Sequence, residues 1–155
     1  MTNKLKVNFD ITKIDWGKLG GYGLYFYLSN DIWKNYGNAD AELSILLTDS
    51  SEMCALNKKW RNKNIETNIL AFPNFKEQFS NKLHYIGDIA LGYEIVFQEA
   101  KARDVLLVNH AAHLVIHGVL HLLGYSHESV EDEFKMQKIE TKVLKEVGIP
   151  NPYAY

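Results

Sequence analysis

The chain has 155 residues, 46% of them hydrophobic and 23% charged, with a formal net charge of −2 and a pI near 6.3. That length suits one domain, residues 1–155, with a core that needs no covalent staple. The charge excludes a global basic field for nucleic acid, the single cysteine (Cys54) excludes an intrachain disulfide, and no apolar run approaches the ~20 residues of a membrane span.

The opening MTNKLKVNFDITK has no apolar h-region, so no signal peptide is expected. A lone cysteine fits a reducing compartment, and the expectation is a cytoplasmic protein without a membrane or disulfide partner. Residues 4–10, KLKVNFD, alternate lysine with apolar residues and predict a strand. Residues 16–36 are aromatic-rich and predict helix, with Gly20, Gly21 and Gly23 working against it. ELSILLT, 42–48, is a short apolar run that predicts a buried strand. Asp49 or Ser50 caps a helix running to about Trp60, with Met53 and Leu56 among its apolar positions.

TNILAF, 67–72, predicts a strand closed by Pro73; 74–84 is a polar loop; IGDIAL, 86–91, is another strand; a helix follows from Tyr93 to Arg103. The next helix, Val105 to Leu123, is apolar on nearly every face apart from its histidines, the pattern of a helix at the centre of a domain. Gly124 is placed to stop it in a left-handed turn. Ser129 is an N-cap with Asp132 three residues on, and Val130, Phe134, Ile139, Val143 and Val147 mark the apolar face of a last helix, ended by Gly148 and Pro150. The order β-α-β-α-β-β-α-α-α lacks regular βαβ alternation. It predicts an α+β fold: about four strands in a small mixed sheet, about five helices, and a central apolar helix carrying metal ligands.

Those ligands lie in HGVLHLLGYSH, 117–127. His117 and His121 are four apart, so their rings project from one helical face about one turn apart and can grip one ion. Gly124 lets the chain reverse and bring His127 back as a third ligand. Three nitrogens leave a fourth position open, which is the arrangement of a catalytic rather than a structural zinc site. His113 and His110 continue the stripe: His113 supports the site, touches substrate or is a hydrogen-bonded core histidine, and His110 is structural or at the surface. His84 carries no argument for function.

Zinc peptidases with this histidine spacing place a glutamate directly after the first histidine, and here that residue is Gly118. An amide leaving group needs the proton that glutamate delivers. A phosphodiester depends more on a metal-polarised nucleophile and on cationic stabilisation of developing charge. Lys58, Lys59, Arg61 and Lys63 form a local basic patch around Trp60, where cations can hold phosphates and an indole can stack on an unpaired base.

HLVIHGVLHLLGYSH (113–127), LNKKWRNKNIETNILAFP (56–73), IGDIAL and the ending GIPNPY together resemble the YbeY-type metal-dependent endoribonucleases of bacterial rRNA maturation. Met136 and Glu140 of the last helix also fit, and the similarity spans most of residues 42–153. The resemblance implies a small α+β fold and one zinc ion per chain on His117, His121 and His127. It implies single-strand-specific RNA cleavage, with a role in 16S rRNA 3′-end maturation and ribosome quality control. Arg61 and His117 are then the catalytic candidates, Lys58, Lys59, Trp60, Arg61, Lys63 and His113 the RNA contacts, and ribosomal RNA and the small subunit with its proteins the partners. The sequence departs from the family pattern at Ser126, where the family has aspartate, and at Ala71, where it has serine. Serine keeps a hydrogen bond and loses the charge. Asp88 and Thr67 match family positions; Asp88 either orients a ligand histidine or serves the strand end. Two other functions compete: a non-enzymatic ribosome-assembly or RNA-binding factor with structural zinc, and a zinc peptidase served by Glu66, Glu94 or Glu128 from another segment.

Overall fold

The computed structural model describes residues 3–74 and 84–154. Among them, β1 (Leu5–Ile11), β2 (Ala41–Thr48), β3 (Ile69–Pro73) and β4 (His84–Gly92) form one mixed sheet in the order β1-β2-β4-β3. β1, β2 and β4 run parallel, and β3 pairs antiparallel with β4 at the edge. A parallel strand with neighbours on both sides is covered on both faces, which is why β2 is written as an apolar run. Leu43, Ile45 and Leu47 are fully buried on one face. Leu46 packs on the other, beside a smaller cluster of Met53, Leu70 and Ala90 beneath α3 (Ser50–Arg61).

The helices are those expected, with one division. The stretch 16–36 is two helices, α1 (Ile14–Leu19) and α2 (Tyr22–Tyr36), because Gly20 and Gly21 take φ of 75° and 91° and turn the chain. α4 (Tyr93–Ala102), α5 (Leu107–Leu122) and α6 (Val130–Glu146) follow, so six helices stand among the described residues. Residues 75–83 of the expected polar loop lie outside them, and His84 already belongs to β4.

α5 is the centre of the molecule. Ten of its sixteen residues are buried, and it packs on α2, α4, α6, β3 and β4. Two indoles fix the surrounding frame by finding carbonyl partners, as buried N–H groups must: Trp16 Nε1 donates to Thr48 O at 2.9 Å and Trp33 Nε1 to Ala39 O at 2.6 Å.

The face of α6 departs from the expected stripe. Val130 and Phe134 are 85% and 65% exposed, whereas Met136, Glu140, Val143 and Leu144 are buried. Phe134 and Val143 are nine residues apart, about half a turn of residual rotation at 3.6 residues per turn, so one face cannot carry both.

Both predicted N-caps form. The Asp49 carboxylate accepts from Glu52 N at 2.7 Å, and the Ser129 hydroxyl from Asp132 N at 3.1 Å. Ser50 instead ties α3 to α4: its amide donates to Glu94 Oε1 and its hydroxyl accepts from Ile95 N. Asp49→Ala therefore removes a cap at the mouth of β2. The expected cost is about 1 kcal/mol, read as a fall in Tm of about 2–4 °C for a chain of this size. An unchanged Tm would show that the cap contributes nothing here.

Candidate metal centre

The last turn of α5 builds the site. Leu123 is its C-cap, and Gly124 follows at φ 101°, a conformation that L side chains rarely adopt. Tyr125 N then donates to Leu120 O and Gly124 N to His121 O, both at 3.0 Å, the paired bonds of a Schellman ending. The reversed chain carries Ser126 and His127 back past the helix. One ring nitrogen from each of His117, His121 and His127 falls within 4.8 Å of the others. His117 and His121 are partly buried and His127 is exposed, so the cluster sits at the wall of a cleft.

The nitrogens not facing the cluster decide the tautomers. His121 Nδ1 lies 3.0 Å from Tyr125 O, a carbonyl that can only accept. His117 Nδ1 lies 2.6 Å from Glu140 Oε1, and Glu140 is fully buried on α6. Burial pushes this carboxyl up, but bonds from His113 and His117 outweigh it and hold it down at about 2, so it is ionised and accepts. Both histidines therefore carry hydrogen on Nδ1, and both Nε2 lone pairs face inward, 2.9 Å apart. A proton between them would relieve the repulsion, but His121 is pushed down to about 4 by burial and by the neighbouring His117 and His127. Three converging ring nitrogens, with the outer N–H groups of His117 and His121 anchored, are the donor set of a divalent metal. The cluster fits such an ion.

Behind His117 the chain of contacts continues. His113 Nε2 is 3.0 Å from Glu140 Oε2 and 3.0 Å from the Tyr153 hydroxyl, and that hydroxyl also donates to Glu140 Oε2. His113 is 7% exposed and does not line the cleft: its Nε2 is taken up by Glu140 and Tyr153, and its Nδ1 is buried with no partner among the described residues. His110 is structural, its Nε2 3.0 Å from Glu99 Oε1. Asp88 accepts from the Tyr85 hydroxyl and bonds no ligand histidine among the described contacts.

Arg61 ends α3. Asn62 takes the left-handed conformation (φ 56°), and Asn62 N and Lys63 N donate back to Lys58 O and Asn57 O. This turn aims the guanidinium at β3, where Nη2 donates to Ala71 O at 3.1 Å and the group lies 5.9 Å from the Phe72 ring. Arg61, His117, His121 and His127 then line one cleft of about 460 Å³, with Ser126 and Glu128 beside them. Glu128 is the only carboxylate among the described lining residues. Ser126 Oγ donates to Asp132 Oδ2 at 3.4 Å, so a carboxylate stands one residue's contact away from where the family pattern has its aspartate.

Of the basic patch, only Arg61 reaches the cleft. Lys58, Lys59, Trp60 and Lys63 are exposed outside it. Trp60 is 62% exposed, has Lys59 Nζ 5.0 Å from its ring, and opens onto a wider hollow that shares Arg61, Ala71 and Pro73 with the cleft. Glu94 bonds Ser50 and does not line the cleft; Glu66 is exposed and does not line it either. No single helix among the described residues is long and apolar enough to cross a membrane.

The family model for Endoribonuclease YbeY matches residues 28–148. The Endoribonuclease YbeY of Buchnera aphidicola subsp. Baizongia pistaciae is 42% identical over 117 residues, 76% of this chain and 75% of that protein. That of Bartonella bacilliformis is 40% identical over 114 residues, 73% and 72% of the two chains. In fold, the solution structure of TM1509 from Thermotoga maritima superposes with a TM-score of 0.60 at 22% identity, covering 97% of this chain and 99% of that one.

Proposed function

This chain belongs to the endoribonuclease YbeY family, and from that premise we propose that it is a single-strand-specific, zinc-dependent endoribonuclease acting in the cytoplasm. Its task is the maturation of the 16S rRNA 3′ end and ribosome quality control, with ribosomal RNA and the small subunit and its proteins as partners. One zinc ion binds per chain, on His117, His121 and His127. The observation that carries this reading is the shared cleft: Arg61 and the three histidines line one cavity.

Zinc held there supplies Lewis acidity and a nucleophile at neutral pH. The protein's own groups do the rest. The Arg61 guanidinium, held by Ala71 O, faces the charge that develops on the phosphoryl oxygens. The Glu128 carboxylate is the cleft's available proton acceptor. The hollow continuing from Arg61 to Trp60 gives an unpaired base a stacking surface, and Lys58, Lys59 and Lys63, exposed on the same segment outside the hollow, are cations for the backbone. A paired base has its faces occupied by neighbours, which supports the preference for single strands.

The test is cleavage of single-stranded and duplex RNA of matched sequence by metal-loaded protein, chelated protein, His117→Ala and Arg61→Ala, with a peptide substrate alongside. Single-strand cleavage is expected only from the loaded protein. Arg61→Ala is expected to lose on the order of 10²–10³ in rate while keeping its metal. RNA left whole by every sample would overturn the enzymatic reading in favour of an assembly factor. Peptide hydrolysis would assign Glu128 to a peptidase.

A further inference from the structure

The hydrogen bonds behind His117 extend to the end of the chain. After α6, Gly148 turns at φ 80° and the segment Pro150–Tyr153 folds back along the helix. Asn151 Oδ1 closes that turn by accepting from Tyr153 N at 2.8 Å, and the Thr141 hydroxyl of α6 also donates to it at 3.4 Å. Pro150 and Pro152 flank Asn151, each fixing its own φ and restricting the residue before it. The tyrosine is thus presented by a stiff hook. Its ring meets His113 edge-on at 5.4 Å and 90°, and its hydroxyl reaches Glu140 Oε2.

Glu140 Oε1 is occupied by His117 Nδ1–H. Oε2 is left to His113 Nε2 and to Tyr153. A buried carboxylate with one oxygen unsatisfied turns toward other donors and carries its bonded imidazole with it. Filling Oε2 from two sides fixes the rotation of the carboxylate and so the direction of the His117 ring.

We propose that Tyr153 is a positioning residue for the metal centre, acting through Glu140 on His117, so that the C-terminal hook sets metal affinity and ligand geometry. This rests on the three histidines binding a metal, as proposed above. The hook reaches His117 from its Nδ1 side, and Tyr153 does not line the cleft.

The test uses the full-length chain as wild type, Tyr153→Phe, Glu140→Gln and the double variant. Cobalt(II) serves as the probe. Three quantities are measured: affinity by competition with a chromophoric chelator, the visible absorption of the bound ion, and thermal unfolding of the metal-free protein. Tyr153→Phe keeps the ring against His113 and removes only the hydroxyl. It is expected to weaken cobalt about tenfold and to shift the absorption bands. On the Glu140→Gln background the same change is expected to cost little further, because the hydroxyl acts through the carboxylate. Wild-type affinity and spectrum in Tyr153→Phe would overturn the proposal. So would an equal additional loss in the double variant, or an altered melting temperature with an unaltered spectrum. Wild type that binds no cobalt would instead overturn the metal reading itself.

Discussion

Glu140→Ala is expected to weaken metal binding by 10- to 100-fold and to destabilise the metal-free protein by about 3–5 kcal/mol. Both effects have one origin. Glu140 is fully buried, and its two oxygens accept from His117, His113 and Tyr153. Removing the carboxylate strands these donors around a fully buried position, and each unsatisfied donor costs about 1–3 kcal/mol. His117 then loses the acceptor that keeps hydrogen on Nδ1, and its Nε2 lone pair is no longer committed to the cluster. Glu140→Asp tests the geometry, since one methylene less cannot span His117 and His113 together. Urea unfolding and chelator competition measure the two effects. A variant that melts and binds like wild type would show that the buried carboxylate is incidental.

Glu140 and the ligand His121 also contribute to the acid response of the metal-free protein. Glu140 titrates at about 2 in the fold against an ordinary 4.5. Its contribution is complete above about pH 4.5 and is lost as pH falls through 2. His121 titrates at about 4 against 6.5. The unfolded chain binds that proton first, so stability declines as pH falls from 6.5 to 4. The two windows follow one another with the same sign. Stability is therefore expected to fall in two stages on acidification, and the upper stage should flatten in His121→Ala.

What could be read from the sequence depended on whether the signal was local. His117, His121, Gly124 and His127 sit within eleven residues, so helical geometry and one left-handed turn suffice to converge them. The caps Asp49 and Ser129, the doubly buried β2 and the division of the fold into sheet and helices were legible for the same reason. Glu140 is legible in the sequence only through the family resemblance, because its partner His117 lies 23 residues away and an acidic residue in an amphipathic helix ordinarily faces water. One local sign was available. Glu140 falls on the stripe of Met136 and Val143, and a charge on an apolar stripe needs a buried partner. Adding Val130 and Phe134 to the stripe hid this sign, since it displaced the buried face. The role of Tyr153 depends on a backward turn after α6 that no periodicity announces, and Arg61 reaches the cleft through the pairing of β3 with β4, which is equally non-local.

Gly118→Glu, the change that would complete the peptidase spacing, is expected to cost at least about 3 kcal/mol of stability and to create no peptidase. Gly118 is a point of close approach. A Cβ there would stand 3.0 Å from Ile89 Cδ1 and 3.1 Å from both Ile69 Cδ1 and Ile89 Cγ2. The Cδ1 atoms are chain ends and can swing aside. Cγ2 is fixed by the stiff χ1 of a β-branched residue on a central strand and cannot. Glutamate adds two further carbons and a charged carboxylate between α5 and the sheet, where β3 and β4 supply apolar side chains. The helix must lift, and His117, one residue earlier, lifts with it. Loss of metal is thus expected together with loss of stability, whereas Gly118→Ala, which adds the Cβ and its three close contacts but no longer side chain or charge, should cost less and retain the metal. Calorimetry, cobalt titration and a peptide assay on the two variants separate the cases. If Gly118→Glu folded with wild-type stability, the sheet would not be what excludes a side chain here. If it also hydrolysed peptide, the absence of glutamate from this position would be the sole barrier between the two chemistries. The contacts of Gly118 argue otherwise: the packing of α5 on Ile69 and Ile89 holds the histidines in place and, by the same closeness, leaves no room for the peptidase base.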